Sequence, residues 1–408
     1  MLNDVIDAVD RSIEAQKNEL VTFAQDLIRM PSVSGDEEAC ANLIRSRMTN
    51  LGYDNVVVDK IGNVIGTIEG TNRESPLMFN GHIDHVPPGD MDDPYSAAIS
   101  DGKQFGVSGQ VILGRAASDM KGALASMIMA GSTIRSLGLK RNRPLTVACV
   151  VLEETQGLGS RYLAETEQGP SAVVVGESTG LDVALGHRGS VGISITTRGR
   201  SSHASMPERG INALYKMLPI MDQVRDTAKD LPFHSELGKT SMVATTISLS
   251  PNVKNVIPNS CTVGLDVRNT PNYPAPEILR TLHTIIDSER RRDPELDVGI
   301  SLERRRIRSY AGLEKELEMI TPSFLTAKDA RLSQVTKEAA SQYIGREAQF
   351  KIWQFATDGS YFAEKGIPTV GFGPGHERFA HTSQDNVSIE DLIKATKVYT
   401  LLAAKYCS

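Results

Sequence analysis

The sequence has few of the features that would direct it out of the cytosol or toward a polyanion. Cysteine is scarce: there are four in 408 residues, Cys40, Cys149, Cys261 and Cys407, too far apart to form a C-x-x-C pair. Buried free thiols in a reducing compartment are the expectation. Basic excess is missing as well. A net charge of −6 and a pI near 5.8 remove any bulk attraction for nucleic acid or anionic membranes. No apolar run approaches the ~20 residues that span a bilayer. The N-terminal stretch MLNDVIDAVDRSIEAQKNEL is acidic and amphipathic and lacks the apolar core of a secretory signal. A cytoplasmic protein with no nucleic-acid or membrane partner is therefore expected. Internal repeats and low-complexity tracts are also absent.

What is present is enough apolar residue, 40% of the chain, for more than one core. Helical periodicity over residues 4–30 ends at Met30-Pro31, where proline disfavours continuation. A second helix is predicted from Glu37 to Leu51, closed by Gly52. The apolar runs NVVVD, NVIGTI, PLMFNGHID, PLTVACVVLEE and SAVVVGES alternate with helical segments, including one opened by Asp119. This pattern predicts an α/β sheet covered on both faces. After about Gly186 the pattern changes. VGISITTRG, INALYKMLPIMDQVRD, MVATTISLS, CTVGLDVRN, APEILRTLHTIIDSERRR and DVGISLERR follow the order of one β-α-β-β-α-β unit, a ferredoxin-like domain. IPTVGFG then reads as a buried strand, and SQVTKEAASQYIG and SIEDLIKATKVYTLLAAKY as helices. The expected organisation is a discontinuous domain from residues 1–187 and 307–408, with an inserted domain at 188–306.

The chemistry-bearing residues fall at predicted strand ends. His82 and Asp84 follow PLMF, Asp119 precedes a helix, Glu153 and Glu154 end TVACVVL, Glu177 ends AVVVG, and His381 follows TVGFG. Open α/β sheets gather ligands at the carboxyl ends of their strands. Imidazole and carboxylate donors suit zinc, with cobalt or manganese able to use the same ligand types. Any one of these residues alone would be an ordinary strand-end side chain. Their recurrence, in order, on separate strand ends is the signal.

The motifs GHIDHVP, SDMKG, LEET, GES, RGRSSHASMPERGINA, NVIP, DVR and GPGHERFAHTSQDNV resemble those of the M20 family of metallopeptidases and deacylases, over nearly the whole chain. The tail TDGSYFAEKGIPTVGFGPG is similar to deacetylase-like and dipeptidase-like branches, including a selenium-metabolism-linked hydrolase group. The resemblance implies a zinc-peptidase-type three-layer α/β catalytic domain with an inserted ferredoxin-like α+β dimerisation (lid) domain. It implies two Zn²⁺ per subunit, one held by His82, Asp119 and Glu177 and the other by Asp119, Glu154 and His381, with Asp119 bridging. Glu153 would be the general base and Asp84 the partner that orients His82. Charge counting agrees: two Zn²⁺ and three carboxylates leave one positive charge, which a hydroxide between the ions would cancel.

The resemblance also implies that His203 reaches a substrate carbonyl from the partner subunit, and that Arg268 and Asn255 bind the substrate carboxylate and amide. An arginine suits that task because its planar fork donates two parallel hydrogen bonds. Arg188 receives no role. His376 shares the His381 loop but not the Ala-His context, and His85 is read as a rim residue. The implied reaction is hydrolysis of the amide bond of a small N-acyl amino acid by a homodimer. A dipeptidase or other exopeptidase and an N-carbamoyl amino acid hydrolase are the alternatives. A catalytically dead binding protein is disfavoured, because every expected ligand and the base are intact.

Overall fold

A computed structural model describes residues 2–72, 75–165 and 169–408; the first residue of the acidic N-terminal stretch lies outside them. Four mutually parallel strands form the centre of a nine-stranded sheet, in the order Leu145–Val150, Leu77–His82, Ala172–Val175 and Thr369–Gly371. Val64–Ile68 and Asn55–Val58 extend it antiparallel on one side. On the other side Val183–His187 pairs with Thr369–Gly371, and Phe324–Leu325 and Phe350–Trp353 both pair with Val183–His187.

Alternation along the strands explains the layers. Leu77, Phe79, Val147, Cys149 and Val174 point into a core shared with the helices Lys17–Arg29, Glu38–Asn50, Gly122–Ser136, Arg331–Tyr343 and Ile389–Tyr406. Met78, Ala148, Val150, Val173 and Val175 point the other way, toward Leu158–Ala164 and Gly359–Glu364. Burying each large apolar side chain contributes about 1.5–3 kcal/mol. The result is a three-layer α/β domain.

The second sheet runs in the order Ser241–Ser250, Ser260–Asn269, Gly189–Arg198 and Asp297–Leu302, antiparallel throughout. Helices Ala213–Thr227 and Ala275–Arg292 cover one face and enclose a separate apolar core. This is the ferredoxin-like order, as the sequence pattern predicts. A hairpin, Arg304–Arg308 with Glu314–Glu318, follows it. Its Ile307 and Leu317 join the core of the large domain. The chain then touches the second sheet again at Ile320–Thr321 before returning for good at Phe324.

Two local expectations change. The N-terminal helical stretch is two helices, Leu2–Ala15 and Lys17–Arg29, separated at Gln16. Asp119 does not open its helix: Ala117–Lys121 is an irregular turn in which Asp119 (φ −130, ψ 88) and Met120 are non-helical, and the regular helix starts at Gly122. Among the described residues no helix is long and apolar enough to cross a membrane, and all four cysteines are free and buried.

Candidate metal centre

The four parallel strands deliver their carboxyl ends to one edge, and the polar residues collect there. His82 is the last residue of Leu77–His82, the Glu153–Glu154 pair follows Leu145–Val150, and Glu177 follows Ala172–Val175. His381 arrives on the loop beyond Thr369–Gly371. Two glycines let the sixth residue, Asp119, close onto the others. A Cβ on Gly81 or on Gly176 would come within 2.4 Å or 2.6 Å of Met120 Cε. Glycine immediately before His82 and before Glu177 therefore makes room for Met120, which presses its neighbour Asp119 against the sheet edge.

Asp119 stands between the two histidines. His82 Nε2 lies 3.0 Å from its Oδ1, and His381 Nε2 lies 3.2 Å from its Oδ2. Each histidine has one further carboxylate: Glu177 Oε1 at 3.4 Å from His82, and Glu154 Oε1 at 2.9 Å from His381. His82 Nδ1 is 2.9 Å from the Asp84 carbonyl oxygen. Donation there fixes the tautomer and leaves the Nε2 lone pair free for an ion. His82, Asp119 and Glu154 offer ligand atoms within 4.8 Å of one another, and so do His82, Glu153 and Glu177.

The electrostatics call for cations. Burial disfavours a charged His82, yet hydrogen bonds to Asp119 and Glu177 carry its pKa well above the ordinary value. Hydrogen bonds to Asp119 and Glu154 push His381 up to about 10. Burial raises Glu177 to about 8 and Glu153 well above the usual carboxylate range. Glu177 Oε2 is buried without a hydrogen-bond partner. Imidazole nitrogens aimed at carboxylates, plus an orphaned carboxylate oxygen, are the donor set that two divalent ions fit.

Asp84 is fully buried and contacts both His82 and the acidic pair. Its carboxylate Oδ1 is 3.7 Å from His82 Nδ1, farther than its own carbonyl. The carboxylate instead accepts the backbone N–H groups of Glu153 at 3.0 Å and Glu154 at 3.2 Å, and the Ser34 hydroxyl at 2.6 Å. Glu37 accepts the Leu152 N–H at 3.2 Å beside it, and burial raises Glu37 to about 7. Asp358, buried near Glu153, is likewise raised to about 7. Ser34, Glu37 and Asp358 were not singled out from sequence, since their partners lie far along the chain.

His85 is not a rim residue. It is buried, accepts the Ser32 N–H at 3.0 Å, faces the Val86 carbonyl at 2.7 Å, and has its pKa lowered to about 4 by burial. His376 is half-exposed, with Nε2 3.6 Å from Asp391, and belongs to neither group of ligand atoms. In the second domain His203 is exposed, with Nδ1 2.7 Å from Ser205 Oγ. The structure brings it beside Asn255, whose carbonyl accepts the Ala204 N–H at 3.0 Å. Arg268 turns its fork onto Asp266 at 2.8 Å and 3.0 Å. Arg188 donates to the Lys239 carbonyl.

The comparisons with known proteins agree with this architecture. Residues 78–405 match the model of peptidase family M20/M25/M40. The chain is 30% identical over 395 residues to the uncharacterized protein YgeY of Escherichia coli, covering 94% of this chain and 93% of that protein. It is 27% identical over 298 residues to the succinyl-diaminopimelate desuccinylase of Granulibacter bethesdensis, covering 69% and 74%. YXEP of Bacillus subtilis, described as a dinuclear metal-binding peptidase from the M20 family, superposes with a TM-score of 0.71 at 16% identity over 97% of this chain and 99% of that one. The chain belongs to peptidase family M20/M25/M40 and is a hydrolase of amide bonds.

Proposed function

We propose that the protein is a two-zinc amidohydrolase that releases an amino acid from a small N-acyl amino acid in the cytoplasm. The observation that carries this reading is the sharing of Asp119: each of its oxygens faces one histidine, and each histidine has its own second carboxylate. His82, Asp119 and Glu177 would hold one ion, and Asp119, Glu154 and His381 the other. Cobalt or manganese could take the same places. Bound there, the ions would polarise the scissile carbonyl and acidify a water. Glu153 is the carboxylate left over, and it takes the proton from that water and returns it to the leaving amine. Asp84 fixes the backbone from which Glu153 projects. Arg268 anchors the substrate carboxylate, exchanging its contact with Asp266 for the ligand, and Asn255 binds the amide. The products are a carboxylic acid and a free amine.

A panel of N-acetyl and N-succinyl amino acids, dipeptides and N-carbamoyl amino acids, offered to the zinc-loaded protein, tests the substrate class. Acyl amino acids should be the best substrates, read by the appearance of primary amine. Preference for dipeptides would move the reading to an exopeptidase. Release of ammonia with carbon dioxide would move it to a carbamoylase.

The second domain supports a homodimer. Strand Ser241–Ser250 is a sheet edge with Val243 and Ile247 55% and 61% exposed, and helix Ala213–Thr227 exposes Leu218 and Tyr215 at 52% and 69%. An apolar unpaired edge is a liability that a two-fold partner removes. Such a dimer would carry each exposed His203 toward the partner's metal centre to stabilise the oxyanion. Glu153→Gln and His203→Ala subunits, each inactive alone, should then regain part of the wild-type rate when mixed under demonstrated subunit exchange. No recovery would mean that His203 acts within its own chain or not at all.

A further inference from the structure

Asp385 lies four residues beyond His381 and is fully buried. Its Oδ2 accepts the Ala116 N–H at 2.7 Å, and its Oδ1 accepts the Ser118 N–H at 2.8 Å. The buried Arg115 donates to Oδ2 at 3.3 Å and, through its other nitrogen, to the Pro88 carbonyl at 2.9 Å. The Asp385 carbonyl takes the Gly114 N–H at 3.0 Å. Four contacts thus join the His381 loop to the segment Gly114–Ser118 that leads into Asp119.

That turn holds itself only in part. Ala116 has φ 68, in the left-handed region, and Asp119 is extended. The Lys121 N–H reaches the Ala116 carbonyl at 2.8 Å and the Ala117 N–H the Gly114 carbonyl at 3.1 Å, while the Ala116 and Ser118 N–H groups turn to Asp385. The Ala116 and Ser118 N–H groups are buried donors that must find acceptors. A carboxylate accepts on both oxygens at once, whereas an amide offers only one acceptor. We propose that Asp385 is a positioning residue that sets the separation of Asp119 from His381, and through it the metal position those two share with Glu154. This rests on the reading of Asp119 and His381 as metal ligands. Outer partners that fix ligands in this way typically contribute about 10–100-fold in metal affinity.

Zinc titration of metal-free protein against a chromophoric chelator, with thermal unfolding of the same samples, tests the assignment. Asp385→Asn turns an NH₂ toward one of the two N–H donors. It should weaken one of the two zinc ions by roughly 10–100-fold. Asp385→Glu restores a two-oxygen acceptor and should recover part of that loss; it also serves if Asp385→Asn does not fold. Val398→Ala, in the core of helix Ile389–Tyr406, controls for lost stability: it should unfold at a lower temperature and still bind both ions as wild type does. The proposal is overturned if the Asp385 variants keep both zinc affinities, or if Val398→Ala loses the same ion. Wild-type protein that takes up no zinc would instead remove the metal centre, and this role with it.

Discussion

Glu153→Gln should lower turnover by about 10²–10⁴-fold, the usual worth of a positioned general base, while zinc content stays at two per chain. The adjacent Glu154→Gln should instead release an ion. The two side chains share one loop and one anchor, since the Asp84 carboxylate takes both of their N–H groups. Their destinations differ. Glu154 Oε1 sits 2.9 Å from His381 Nε2, whereas Glu153 lies on the His82 and Glu177 side of the cluster. Burial, with the charges of Asp358, Glu177 and Glu154 around it, favours the protonated form of Glu153 despite the opposing charge of His82. A group that readily accepts a proton and can give it back is suited to serve water first and the leaving amine second. Rate measurement together with metal analysis of both variants decides the matter. If Glu153→Gln loses a metal and Glu154→Gln keeps both, the roles are reversed.

Exhaustive chelation should abolish activity, and zinc or cobalt should restore it. The proposed chemistry uses no covalent nucleophile: the cysteines are buried, and the Ser118 and Ser178 hydroxyls, 3.1 Å apart, each donate to a backbone carbonyl. Protons oppose the metal. His381 holds its proton up to about pH 10 without metal, and His82 is also raised, so acid should ease zinc loss. Stability should follow the same logic with opposite signs in the two forms. In the metal-free protein the contacts of charged His381 with Asp119 and Glu154 stabilise the fold fully below its unfolded pKa of roughly 6.5. That contribution is lost as pH rises through about 10. Metal-free protein should therefore weaken between those limits while the zinc-loaded protein gains, as proton competition fades. Melting curves of both forms against pH read this directly. Full activity after chelation would sink the metal mechanism altogether.

Much of this was legible from local pattern. The central strands are unbroken apolar runs because both of their faces are covered, and the residues ending them were visible for the same reason. The ferredoxin-like order was readable because its elements are long and alternate cleanly. What escaped depends on distant partners. Asp119 reads as a helix start, but its turn is bonded to Asp385, 267 residues from Ser118. His85 reads as a rim residue, but it is buried, with Ser32 and Tyr95 against it. Asp84 reads as the partner of His82, and its further bonds to backbone groups about 70 residues on leave no mark in the local sequence. Strands as short as Phe324–Leu325 and Asn386–Ser388 have no pattern of their own; the ladders they join define them.

The placement of Thr369–Gly371 between Ala172–Val175 and Val183–His187 bears on how the chain is born. A ribosome delivers the strands on either side nearly two hundred residues before the one that separates them. Until it arrives, the middle of the large sheet holds an open gap, with unpaired edges that invite wrong partners. The ferredoxin-like unit, continuous in sequence, closes its sheet in the meantime. The cluster follows the same schedule: His82, Asp119, Glu153, Glu154 and Glu177 are all made before Thr369–Gly371, and His381 emerges last. A nascent chain thus lacks one of the six clustered residues until the final stretch of translation supplies it.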